Sequence, residues 1–165
     1  LVEEEGTRRW LISRNDQSGL CRFHLRQSRR AAALAVLAEL RRALAAIYSG
    51  DVADEERRRQ RTVAFDQARA AYAALRAGWT APPWFDGWFA PGLNNARLAA
   101  LSTYEELVPA FAALLAREGG DLARFYASAA ALGALEPAQR ASALQELGYP
   151  PGAALSGVPV AGSCP

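Results

Sequence analysis

Lysine and methionine are absent from this sequence, and histidine occurs once, at position 24. The 19 basic residues are therefore all arginine, and alanine dominates the apolar set. That bias fits a GC-rich bacterial genome rather than a particular activity. With 17 acids the net charge is only +2, and the arginine clusters at 29–30, 41–42 and 57–59 alternate with acids or fall on helical faces, which argues against a nucleic-acid partner. The two cysteines, Cys21 and Cys164, form neither a CxxC pair nor a framework; pairing of the two would favour a secreted origin. No apolar run reaches the roughly 18 residues needed to cross a bilayer, since Glu39 and Arg41-Arg42 end the longest stretch. With no methionine at its head, "LVEEEGTRRW" reads as the middle of a longer polypeptide, and the absence of a visible signal peptide carries no weight.

What is present suffices for a folded domain. Half of the 165 residues are apolar and aromatics are in normal supply, so the chain can bury a core. Val2, Trp10, Leu11 and Ile12 fit a helix end that "SRNDQSG" closes with turn residues. A long helix is expected from about Leu20 to Ser49, because Leu34, Leu37, Leu40, Leu44 and Ile47 fall three and four apart on one seam. Gly50 ends it, Asp51 is expected to cap the next, and that helix, from about Val52 to Ala77, carries Phe65, Ala68, Tyr72, Leu75 and Trp79 at the same spacing. Two seams joined by a tight turn predict an antiparallel hairpin over about 20–77. Its "DEERRRQR" tip has little to bury and is expected in solvent.

The segment "GWTAPPWFDGWFAPGLNNARL" breaks this pattern with three Trp and two Phe set among Gly and Pro. It is too apolar for a solvated linker and too interrupted for a helix, so it must lie on something, either capping the core or lining a substrate cleft. Shorter helices follow. Thr103 with Glu106 has capping-box spacing ahead of "LVPAFAALL", "REGG" stops that helix, Asp121 caps "LARFYASAAALGAL" and Pro137 opens "AQRASALQELG". No alternating strand pattern occurs, so the fold class is all-α: one helical region over 1–149 and a flexible Gly/Pro-rich tail over 150–165.

The residues for a self-contained catalytic centre are missing from the sequence. Two histidines one helical turn apart, with a glutamate between them, would be needed for a peptidase zinc site, and His24 has no such partner. There is no GxSxG nucleophile motif, and Gly119-Gly120 lacks the Lys and Ser/Thr of a phosphate loop.

Several stretches, in order, nonetheless resemble one family. "VEEEGTRRWL", the Arg/Glu-rich hairpin, "YAALRAGW", "DGWF", "LNNARLAALSTYEELVPAFAALL" and "GGDLARFY" are similar to the carboxy-terminal half of the bacterial aminopeptidases predicted to depend on zinc, over roughly Leu1 to Leu135. In that family an HExxH helix comes first, and a later helix bearing an Asn-Glu-Ser-Phe-Ala type motif gives the third ligand. "LVEEEGTRRWL" resembles the continuation of that later helix, so both histidines and the ligand glutamate are expected upstream of Leu1 and no metal ligand in this chain. The resemblance implies a zinc cofactor, a peptide substrate, a partner region in the missing amino-terminal part of the same polypeptide, and a cell-envelope location through a secretion or lipoprotein-type signal.

Carried over residue by residue, it marks four positions. With the ligand glutamate about seven residues before Glu3 the two share a helix face, and Glu3 would bind the substrate's free amine; otherwise it is an exposed helix acid. Asn94 and Asn95 would hold the substrate backbone, or simply cap the helix starting near Ala96. Tyr104 would donate a hydrogen bond to the oxyanion, or else sit in the core or on the surface as a tyrosine at a helix start. The competing reading is a non-catalytic adaptor that binds proteins through its hairpin.

Overall fold

The computed structural model describes residues 1–79, 85–90, 92–105 and 107–148, with the backbone alone at 102–104. The described residues contain eight helices and no strand. The chain is all-α. They fall into two compact units, one of residues 1–9 with the described residues from 99 to 148 and one of the described residues from 10 to 98.

The second unit is built on the hairpin. Helix α1 (Val2–Ser13) ends where Asn15 takes a positive φ of 52°, and Asp16 then caps α2 (Gln17–Ser49) by accepting a 2.7 Å hydrogen bond from the Gly19 amide. The helix thus starts three residues ahead of the expected Leu20. Its turn explains Gly19: a Cβ there would lie 2.3 Å from Asp16 Oδ2 and 2.8 Å from Leu11 Cδ2. Leu34, Leu37, Leu40 and Leu44 are buried as the seam required, with Ile47 half-buried beyond them.

Gly50 ends α2 by returning its N–H to the Ala46 carbonyl. Asp51 does not cap the next helix. The chain stays extended through the N-cap Ala53 (φ −57°, ψ 148°), which makes no side-chain capping bond, and α3 runs Asp54–Ala77. Asp54, Glu55 and Glu56 fill its first turn, where the helix dipole favours acids, and Arg57 pairs with Asp54 while Arg59 pairs with Glu56. Phe65, Ala68 and Tyr72 are buried against α2, and the guanidinium of Arg29, early in α2, lies 5.8 Å over Trp79 just past the end of α3. The two helices are antiparallel. No residue between Leu44 and Ala64 is buried, so the tip is solvated as its composition demanded. Each buried Leu or Phe of the seam contributes about 1.5–3 kcal/mol.

The aromatic segment lies on this hairpin. A short helix α4 (Asp86–Phe89) presents Phe89, 7 % exposed, to Tyr72 in a near-parallel stack, with centroids 3.9 Å apart and ring planes at 4°. Trp79 meets the edge of the same tyrosine at 5.9 Å. Leu93 and Leu98 are buried further on, and Asn95 Nδ2 donates to the Tyr48 hydroxyl at 3.1 Å near the far end of α2. The described residues between 85 and 98 therefore follow the hairpin from its open end to a point near its tip.

Helix α5 (Asn95–Glu105) begins in the second unit and from Ala99 on belongs to the first, where α6 (Val108–Arg117), α7 (Leu122–Ala134) and α8 (Pro137–Glu146) follow. The side chains of the expected capping box, Thr103 and Glu106, lie outside the described residues; the backbone of α5 continues through Thr103, and the N-cap of α6 is Leu107, without a side-chain bond. Pro109 sits in the first turn of α6, where its missing N–H costs nothing. Gly119 and Gly120 make the α6–α7 corner at φ 66° and 75°, a region that favours glycine. Asp121 caps α7 through the Ala123 and Arg124 amides at 2.8 and 3.1 Å. Leu114, Leu115 and Phe125 form the core of this unit, with Val2 of α1 and Leu147 packed against them. The expected flexible tail lies outside the described residues.

Candidate functional site

The four positions marked by the sequence fall in different settings. Glu3 lies in the first turn of α1 and is exposed; it belongs to the first unit. Asn94 and Asn95 stand together at the start of α5 in the second unit. The Asn94 Oδ1 accepts the Arg97 amide at 3.0 Å, so it caps α5, one residue earlier than the expected start near Ala96. The Asn95 amide is engaged by Tyr48, itself 49 % exposed. Tyr104 is in the last turn of α5, and its side chain lies outside the described residues.

Around the two asparagines the surface is polar and tied to the aromatic segment. Arg97 donates 3.1 Å to the Gly87 carbonyl, and its guanidinium lies 5.0 Å over the Trp88 ring, which holds α4 against the start of α5. At the other end of α4, the Tyr72 hydroxyl donates to Asp86 Oδ1 at 2.7 Å, and Arg76 Nε stands 3.5 Å from the same carboxylate. Burial, then the hydrogen bond and charge of Asp86, push the Tyr72 phenol well above its ordinary range. It stays protonated and acts as a donor rather than a base. The described part of the aromatic segment thus caps the hairpin, and its presented polar groups are amides, a phenol and a helix start.

The sequence reading missed Glu5. Its carboxylate is held down to about 2, first by the Arg8 hydrogen bonds and then by Arg9, while Arg9 also donates to the Gly120 carbonyl at the α6–α7 corner. The signal was present as the i,i+3 and i,i+4 spacing in "EEEGTRR". Glu5 fixes the end of α1 to the corner within the first unit.

Among the described residues no three His, Cys, Asp or Glu side chains converge as metal ligands do. His24 packs edge-on against Phe23 at 5.6 Å. These residues do not fit a zinc centre. No helix among them is long and apolar enough to cross a membrane. Cys21 is disulfide-bonded, and its partner lies outside the described residues.

Compared with known proteins, the chain matches the family described as "Putative aminopeptidase" over residues 1–144. No curated protein and no solved structure gives a match.

Proposed function

Since this chain belongs to the Putative aminopeptidase family, we propose that it is the carboxy-terminal, helical part of a zinc-dependent bacterial aminopeptidase that hydrolyses amino-terminal peptide bonds. The observation that carries this reading is the family match, which spans all eight described helices apart from the last two residues of α8. The HExxH pair and the third, glutamate ligand are assigned to polypeptide preceding Leu1, in keeping with the absence of a metal-ligand cluster among the described residues.

Within that enzyme this region supplies scaffold and part of the cleft wall. Asn95, with Tyr48 behind it, offers an amide to an extended peptide backbone, Asn94 sets the start of α5, and Tyr104 is assigned to the developing oxyanion. Glu3 is assigned to the free amine of the substrate, and the enzyme to the cell envelope. The solvated, charged hairpin tip supports the second reading, a protein-binding module.

Sequencing upstream of the Leu1 codon and assaying the extended polypeptide test the proposal. An open frame with HExxH followed by an Asn-Glu-Ser-Phe-Ala type stretch, whose product releases amino-terminal residues from short peptides and loses that activity to a chelator, is the expected result. A start codon directly before Leu1 would overturn it in favour of the binding module.

A further inference from the structure

Asn94 and Asn95 stand side by side at the start of α5, both exposed, and their amides are set in opposite senses. The Asn94 Oδ1 accepts the Arg97 amide at 3.0 Å, so the group left to meet a ligand is its Nδ2, a donor. Asn95 is the reverse. Its Nδ2 donates to the Tyr48 hydroxyl at 3.1 Å, which leaves Oδ1, an acceptor, on the side of the amide turned from Tyr48. An adjacent donor and acceptor have a specific complement: the N–H and C=O of one residue in an extended chain lie on the same edge, and a partner strand meets both at once. A carboxylate would satisfy Asn94 alone, and an ammonium Asn95 alone.

We propose that Tyr48 is a positioning residue that fixes the polarity of this amide pair, so that the site takes one residue of an extended peptide through both its N–H and its C=O. Proline, N-methylated and ester-linked residues have no N–H to give Asn95 and are rejected at that place. The proposal rests on the reading above that puts the two asparagines in the substrate cleft, and it adds the substrate feature they select and the residue that makes the selection.

The two amides are held from different directions. Arg97, whose N–H fixes Asn94, is itself tied down, since its guanidinium donates to the Gly87 carbonyl at 3.1 Å and lies over Trp88. Asn95 has its partner on α2, 47 residues away in sequence. Tyr48 is 49 % exposed and lies past Leu44, the last buried residue of α2, so core packing does not account for a tyrosine there. Its bond to Asn95 does. The last torsion of an asparagine is broad, so an exposed amide without a partner turns readily and shows donor and acceptor by turns. With the Tyr48 hydroxyl in place, one sense is kept and the acceptor is ready before a peptide arrives.

The test follows the side-chain amide signals of Asn94 and Asn95 by nuclear magnetic resonance in this chain, titrated with tetra-alanine and with its analogues N-methylated at the second, third or fourth residue. Tetra-alanine should shift both signals saturably, and N-methylation at one of the three places should weaken binding about three- to tenfold, the worth of one hydrogen bond. Tyr48→Phe keeps the ring and should abolish most of that discrimination. Adding Asn95→Asp should restore it, because a carboxylate presents an acceptor on either side and needs no partner to orient it. A tyrosine that merely supports the fold predicts no such rescue. No saturable shift in the folded chain, equal binding of tetra-alanine and all three analogues, discrimination unchanged in Tyr48→Phe, or a failed rescue would each overturn the proposal. Should Tyr48→Phe lose its helical spectrum, Asn95→Leu, which removes the acceptor and leaves Tyr48 in place, must lose the discrimination for the proposal to stand. Hydrolysis by the polypeptide extended upstream is measured separately. An active enzyme in which Tyr48 is indifferent overturns this proposal alone, whereas an inactive one beside a discriminating chain overturns only the peptidase reading.

Discussion

The hydroxyl of Tyr72 and the carboxylate of Asp86, 2.7 Å apart, join the middle of the hairpin to the aromatic segment that leads to the two asparagines. The ring below that hydroxyl is stacked on Phe89, so one residue serves the seam, the stack and the hydrogen bond. Tyr72→Phe removes only the hydrogen bond and leaves Asp86 with Arg76, and should cost about 1 kcal/mol. Tyr72→Ala empties the stack as well, and should cost about 3–5 kcal/mol. Denaturant melts of the two variants check the order; equal losses would show that the ring contributes nothing beyond the hydroxyl.

Acid should weaken the first unit through Glu5. Its folded value is depressed from 4.5 to about 2, so its contribution is present above the unfolded value and is lost as the pH falls from about 4.5 through about 2. Arg8 is 40 % exposed and screened by water, which limits that contribution to about 1 kcal/mol. Glu5→Gln should lower stability at pH 7 and flatten the loss across this window. A variant whose pH profile between 5 and 2 (about the range where a depressed carboxylate titrates) overlays the parent would contradict this.

At the start of α2, Asp16→Ala should cost about 1 kcal/mol by orphaning the Gly19 amide. Gly19→Ala should also destabilise, although alanine is the better helix former by about 1 kcal/mol, because its Cβ would collide with Asp16 and Leu11. Thermal melts that found Gly19→Ala stabilising would mean that this turn relaxes freely.

For the proposed enzyme, extended upstream, Tyr104→Phe should lower kcat by at least about tenfold, with KM little changed. An unaltered kcat removes Tyr104 from the site.

The Asn94 pair of roles separates cleanly. Asn94→Asp keeps a side-chain oxygen for the Arg97 amide, so the melting temperature should hold while KM rises through loss of the amide donor. Asn94→Ala should lower both stability and affinity. A KM unaffected by either change would leave Asn94 as a cap alone.

The hairpin was legible because its signal is long: buried leucines at 34, 37, 40 and 44 repeat over three turns, and the α3 seam answers them. Single-residue signals fared unevenly. Asp121 and Pro137 stand where their types suggest, whereas Asp51 sits three residues before α3 on chain still extended after Gly50. Thr103 has capping-box spacing, but the apolar pattern of "ARLAALSTYE" carries the α5 backbone straight through it, as cooperative helix propagation favours. Asp16 was hidden inside a run of turn residues, any of which serves as a cap on composition alone. The site was least legible, because a cap and a substrate-binding amide call for the same residue type at Asn94.

The bare end of the hairpin has a bearing on how this chain can change over time. Between Leu44 and Ala64 nothing is buried, so whole turns can be added or removed at the loop in matched pairs without disturbing a single core side chain. Length there is free to drift while the seam below stays fixed, and the same stretch is the natural port for inserting a tag or reporter.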